Sequence, residues 1–212
     1  MGAPDTTDTL FCSGDCALLE KPQIEKTVES FWMSQYEVSI YQWSKIMGEK
    51  FNEADAWLPK VNISFEGCMH FAKKLSDLTG LKFSLPTEAE WEFAARGGIE
   101  PDNTIFAGSD NADEVGWYEK NSGGRPHICD AKNSPMSCNA LDLYDMSGNV
   151  SEWCDTNFAP YNTDIPNPDP DSKVIRGGDY NSGIFGITVF HREPINIQQK
   201  AETIGLRLII RN

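Results

Sequence analysis

The sequence predicts an α+β fold that is rich in loops, with short antiparallel sheets and about three helices. Three stretches, 39–48, 64–80 and 87–98, pair a capping hydroxyl with apolar residues at helical spacing and end at glycine. Short runs of β-branched and aromatic residues stand at 27–36, 173–180 and 203–210, the pattern of brief strands. Between them, 99–141 and 155–172 are dominated by Gly, Asn, Asp, Ser and Pro.

Length and charge bound the rest. A chain of 212 residues is expected to form a single domain over 1–212, and 40% hydrophobic with 11% aromatic residues supplies a sizeable core. The net charge of −14 argues against nucleic acid and against docking on anionic lipid. The expected partners are a protein or carbohydrate ligand, and the expected state is a monomer. No run approaches the roughly 18 apolar residues of a membrane span. Met1 to Asp5 lack a charged-then-apolar leader, so the chain is either cytoplasmic or separated from its leader.

Taken in order, 1–26 is polar and reads as loop, with Gly2, Pro4, Gly14 and Pro22. A strand is expected over 27–36. Ser39 then caps a helix from Ile40 to Met47 that stops at Gly48. Ser64 starts a packing helix whose stripe is Phe65, Cys68, Met69, Phe71, Ala72, Leu75 and Leu78, ending at Thr79 and Gly80. Cys68 and His70 on it read as core and flank in preference to a metal pair. Thr87 and Glu90 form a capping box for a third helix closed by Gly97 and Gly98, and capping with solvation accounts for Glu88, Glu90 and Glu92. The 99–141 stretch is long enough to be functional or held by ions. Closing strands are expected at 173–180 and 203–210, with a shorter one at 188–192.

Six cysteines (12, 16, 68, 129, 138, 154) are too sparse for a disulfide scaffold. Cys129 could pair with Cys138 and Cys12 with Cys16, while Cys68 reads as a buried thiol.

Residues 142–153 put Asp145 and Glu152 on either side of a Ser147-Gly148-Asn149 turn among Leu143, Tyr144, Met146, Val150 and Trp153. One reading is a hairpin turn with acids in water. The other is a hard-cation site, since calcium takes six to eight oxygens, many of them main-chain.

Five blocks, in order, carry a resemblance to the formylglycine-generating enzyme (sulfatase-modifying factor) family. They are Tyr36-Glu37-Val38-Ser39, Ile63-Ser64-Phe65, the Leu85 to Glu92 stretch, the Asp145 to Trp153 stretch with Arg176-Gly177-Gly178, and Gly205-Leu206-Arg207. The resemblance implies a variant of the C-type lectin fold and a strand ahead of Met1. It also implies calcium at the 145–152 turn, held by the side chains of Asp145 and Glu152 and the main chain of Gly148 and Val150. This raises the cation reading above the hairpin one.

The family's activity carries over less readily. Such enzymes oxidise a substrate cysteine through two cysteines that bind copper after the Arg-Gly-Gly strand, a task that needs soft deprotonated sulfur. This chain has no cysteine after Cys154, and Val189 lies near where one of the pair would fall. The related iron enzymes use a histidine cluster, whereas His70, His127 and His191 are far apart in sequence. Neither copper nor iron is expected.

The 180–202 segment instead carries apolar residues, and exposed apolar groups on a rigid scaffold mark binding surfaces. The expected ligand-binding set is Tyr180, Ser182, Ile184, Phe185, Phe190, His191, Glu193, Ile195 and Ile197. Ile187 and Val189 are expected to face inward, and Phe185 could do either. The segment also resembles the variable region of bacterial proteins diversified by retroelements. The reading is a non-catalytic ligand-binding domain on a calcium-braced scaffold, on the periplasmic or cell-surface side. The alternatives are an oxidoreductase of this superfamily with a remodelled site, a hydrolytic variant using Asp179, His191, Arg192 and Glu193, or a structural subunit.

Overall fold

The computed structural model describes residues 1–3, 19–101, 103–129, 136–161 and 171–211. Cys12 and Cys16, the region of a possible first pairing, and half of the loop at 155–172 lie outside them.

Three helices form where capping chemistry directs. Helix α1 (Ile40–Met47) begins at Ser39, whose hydroxyl accepts from the Gln42 N–H at 3.2 Å while the Gln42 side chain accepts from the Ser39 N–H at 2.9 Å. Helix α2 (Phe65–Thr79) is capped by Ser64 and ends at left-handed Gly80. Helix α3 (Glu88–Ala95) closes the Thr87–Glu90 capping box. A single turn, α4 (Ala112–Val115), is the one helix of the 99–141 region among the described residues.

Strands β1 (Phe31–Met33), β2 (Phe83–Ser84) and β7 (Ile209–Arg211) make an antiparallel sheet in the order β1-β7-β2, Trp32 facing Ile210. Strands β3 (Ser151–Asn157), β4 (Ser172–Arg176), β5 (Arg192–Asn196) and β6 (Ile204–Gly205) make the second sheet, in the order β5-β4-β3-β6. Its β3–β6 pair is parallel, a departure from the all-antiparallel expectation.

Four element boundaries differ from the sequence reading. The strand at 27–36 contracts to Phe31–Met33. The closing run 203–210 divides into β6 and β7, which join different sheets because Leu206, Arg207 and Leu208 turn into the core between them. The strand expected at 188–192 runs at 192–196, where β4 offers a partner from Ser172 to Arg176. The strand expected over 173–180 ends at Arg176, where Gly177 and Gly178 take positive φ.

Strand β3 divides the core. Alternation along it sends Trp153 towards Trp43, Phe71, Leu85 and Leu206, and Cys154 towards Trp91, Met146, Phe158 and Phe190. Trp43 and Phe71 stack at 4.8 Å and join α1 to α2.

The acids of α3 require a correction. Glu88 and Glu92 are buried, not solvated: Arg192 grips Glu88 with two hydrogen bonds of 2.7 and 2.8 Å, and Arg176 bonds Glu92. Glu90 adds Arg211 to its capping role. Buried carboxylates need such partners to offset desolvation. Cys129 and Cys138 are likewise unpaired thiols: Cys129 donates to Glu37 and Cys138 lies 3.6 Å from Asp142.

Candidate functional site

The 145–152 turn is stitched into the protein on both sides. Asp145, Gly148 and Asn149 all take positive φ. Gly148 donates to Gly177 O and Asn149 to Trp117 O, each at 2.8 Å, while Asn149 O accepts from Tyr180 N–H at 2.9 Å. A Cβ on Gly148 would lie 2.1 Å from Trp117 O, so only glycine lets these strands of chain meet.

Asn149 is the hub beneath. Its side-chain oxygen accepts from His127 N–H and its amide donates to Glu37. Glu152 accepts from Trp91 Nε1 at 2.7 Å and from Arg207, whose remaining donors reach Ser34 O, Gln35 O and Tyr144 O. All five guanidinium N–H groups of Arg207 can thus be accounted for.

Three buried carboxylates, Glu37, Asp145 and Glu152, surround that one guanidinium. Burial lifts Asp145 to about 7, Arg207 pulling it down and Glu152 pushing it further up. Burial, then the charges of Asp145 and Glu152, raise Glu37 well above the usual carboxylate range. One oxygen of each, Glu37 Oε1 and Asp145 Oδ1, is buried without a hydrogen bond among the described residues. These shifts favour the protonated forms of Glu37 and Asp145; a dication of the kind the resemblance implies would draw both protons off, and the three ionised carboxylates would then exceed Arg207 by two negative charges. Asp145 has a free oxygen for it, whereas Glu152 would share its carboxylate with Arg207. Side chains alone make no cage, because no three His, Cys, Asp or Glu among the described residues converge at metal distance. Main-chain oxygens such as those of Gly148 and Val150 would have to complete the shell.

The 179–202 segment lies directly above this turn. Ser122 donates to Tyr180 O, Glu119 N–H to Ser182 O, and Val189 N–H to Ile105 O, so the 99–141 region flanks it. A 3₁₀ turn at Ile184–Ile187 holds Phe185 half exposed while Ile187 is fully buried.

The expected binding set separates into two groups. Ser182, Ile184 and Ile197 are partly exposed, and Phe185 and Glu193 are exposed. Tyr180, Phe190, His191 and Ile195 are buried. Phe190 belongs to the core half around Trp91, and Ile195 to the half around Trp153. Ile195 is turned inward on β5, and Phe190 is buried in the turn that precedes it, so neither is displayed on the surface.

His191 is held between two acids, Nδ1 to Glu20 and Nε2 to Glu193, both at 2.8 Å. Burial opposes its charge, but the hydrogen bonds it donates to Glu193 and Glu20 outweigh that and lift it to about 9. An imidazolium with both nitrogens engaged has no lone pair to accept a proton at neutral pH. Arg192 is committed to Glu88 and stacks on Tyr161 at 4.0 Å. The four residues of the hydrolytic reading are therefore mostly parts of the ion network under the surface. Cys68, Cys129 and Cys154 are buried, and burial pushes each thiol upward, away from the reactive thiolate.

Glu37, Cys129, Asn149 and Arg207 complete the polar hub, and sequence reasoning named none of them as site residues. Glu37, Asn149 and Arg207 stand inside the matching blocks, which was the available signal. Cys129 had none.

Comparison with known proteins places this architecture. The profile of the family described as "Sulfatase-modifying factor enzyme 1-like domain" matches residues 5–212. The chaperone protein LppX of Paenibacillus barcinonensis is 25% identical over 232 residues, covering 86% of this chain and 81% of that protein. The formylglycine-generating enzyme of Streptomyces coelicolor is 36% identical over 113 residues, covering 45% of this chain and 35% of that enzyme. Among solved structures, Treponema denticola variable protein 1 superposes with a TM-score of 0.75 at 24% identity, covering 86% of this chain and 84% of that one.

Proposed function

This chain belongs to the sulfatase-modifying factor enzyme 1-like domain family, and within it we propose a non-catalytic ligand-binding domain that presents Ser182, Ile184, Phe185, Glu193 and Ile197 to a protein or carbohydrate partner. The observation that carries this reading is Phe185, 50% exposed on a turn fixed by the buried Ile187 below it. A large aromatic side chain half exposed on a fixed turn offers apolar area that a partner can cover. The same segment contains no sulfur to hold copper, and its histidine is locked as a cation.

In this reading calcium is the brace. The Asp145 and Glu152 side chains, with the Gly148 and Val150 carbonyl oxygens, would hold it, a reading supported by the Asp145 oxygen that has no hydrogen bond among the described residues and by the crowding of three buried carboxyl groups, whose ionisation a cation would favour. Its role would be to neutralise the hub and fix the turn on which the 117–124 and 177–182 segments rest. Export to a compartment with millimolar calcium fits such a site. Among the described residues no helix is long and apolar enough to cross a membrane.

Comparison of the gene across isolates tests the proposal. Diversification for binding should place substitutions at the exposed positions of 180–202, such as Asn181, Phe185, Glu193 and Gln198, and spare 187–192. Uniform drift, or change concentrated in the buried positions, would return weight to an enzyme with a remodelled site or to a structural subunit.

A further inference from the structure

A second concave feature shares no residue with the 179–202 segment. It is a cavity of about 600 Å³, floored by the β1-β7-β2 sheet through Leu208, Ile209 and Ile210 and walled by α1 and α2. That volume falls within the 300–1,000 Å³ range of small-molecule sites. Phe71 and Leu75 reach it from α2, and Val38 and Phe83 close its inner end. At the outer face Trp32 stands 72% exposed on an edge strand.

Polarity selects the ligand class. The chain carries 32 acidic residues, yet the described lining contains none, and its one cation is Lys45 in the last turn of α1. The Lys45 ammonium lies over the Tyr41 and Phe51 rings at 5.2 and 6.0 Å. Among the described residues it has no carboxylate partner. Gln42 and Gln35 add neutral hydrogen-bonding groups to the same lining.

We propose that this cavity binds a monomeric amphiphile of the fatty-acid class, its apolar chain along the sheet and its carboxylate at Lys45. Burial of the chain supplies the attraction, which scales with apolar area removed from water. The rim charge sets orientation and selects the anionic head. A bilayer of anionic lipid is a different target, and the net charge of −14 repels it while leaving the acid-free cavity open to a single carboxylate.

The test is calorimetric titration of the full chain with dodecanoate below its micelle concentration, beside a dodecyl amphiphile with a neutral sugar head. Wild type should bind dodecanoate saturably, one per chain. Lys45→Glu should weaken dodecanoate by about fivefold or more, the effect of losing a rim ion pair of about 1 kcal/mol, and leave the neutral ligand unchanged. Leu75→Trp, which fills the cavity, should abolish both while the protein still melts cooperatively. Three results would overturn the proposal: no saturable dodecanoate binding, equal weakening of both ligands by Lys45→Glu, or a wild-type dimer that Leu75→Trp dissociates, which would make a second copy the occupant. None of these residues belongs to the 179–202 surface, so failure here leaves the proposed function standing.

Discussion

Replacing His191 with glutamine should change stability in a way that depends on pH. His191 is buried and held at about 9 by Glu20 and Glu193, against an ordinary value of 6.5. A group raised in the folded state contributes fully below its unfolded value and loses that contribution as pH climbs through its folded value. The window therefore runs from 6.5 to about 9. At about 1.4 kcal/mol per pH unit, the gap corresponds to about 3 kcal/mol. Glu193 is 57% exposed, and solvent screening trims its share, leaving about 2 kcal/mol. For a chain of this size that is roughly 4–8 °C in melting temperature. Calorimetry of wild type and His191→Gln from pH 6 to 9.5 should show the largest difference at pH 6, shrinking towards pH 9.5. Proton NMR of the His191 ring should give a midpoint near 9. A midpoint below 7, or a melting difference independent of pH, would refute the locked imidazolium and restore His191 as a possible base.

Three further outcomes follow from packing. Phe190→Ala should cost about 3–5 kcal/mol by opening a cavity beside Trp91, whereas Phe185→Ser, at a half-exposed position, should cost less, about 1 kcal/mol; urea melts of the two variants separate these, and equal losses would mean that Phe185 is structural. Gly148→Ala should cost several kcal/mol, about 4 or more, because its Cβ falls 2.1 Å from Trp117 O and its φ is +92°; a wild-type melting point would contradict the close approach. Removing calcium with a chelator should lower the melting temperature and expose the 99–141 amides to hydrogen exchange, by about 2.7 kcal/mol if calcium stood at 100 times its Kd; an unchanged melt would count against the brace.

The helices were legible because their signals are local. Ser39, Ser64 and Thr87 cap them three residues from their own partners, and Gly48 and Gly80 end two of them in the left-handed conformation. The strands were less so, since β6 and β7 are separated by Arg207 turning inward to Glu152, a contact spanning 55 positions. Glu88 and Glu92 read as solvated because Arg192 and Arg176, which pair with them, lie 104 and 84 positions away. Phe190 and Ile195 looked displayable for the same reason: Ile195 is directed inward by the register of β5 on β4, and Phe190 by packing with Trp91, Met146 and Phe158, which are distant in sequence. The turn at Asp145 was recognised from its own residues, but Glu37 and Cys129, which share its buried space, become visible only when the chain is folded.

Elemental analysis of the purified, untagged protein bears most directly on the claim that this scaffold braces a binding surface without redox chemistry. The account predicts calcium at about one per chain, in keeping with a single hard-oxygen site, with copper and iron at trace level. Copper or iron at one equivalent per chain would contradict it and identify the protein as an enzyme with a rebuilt centre.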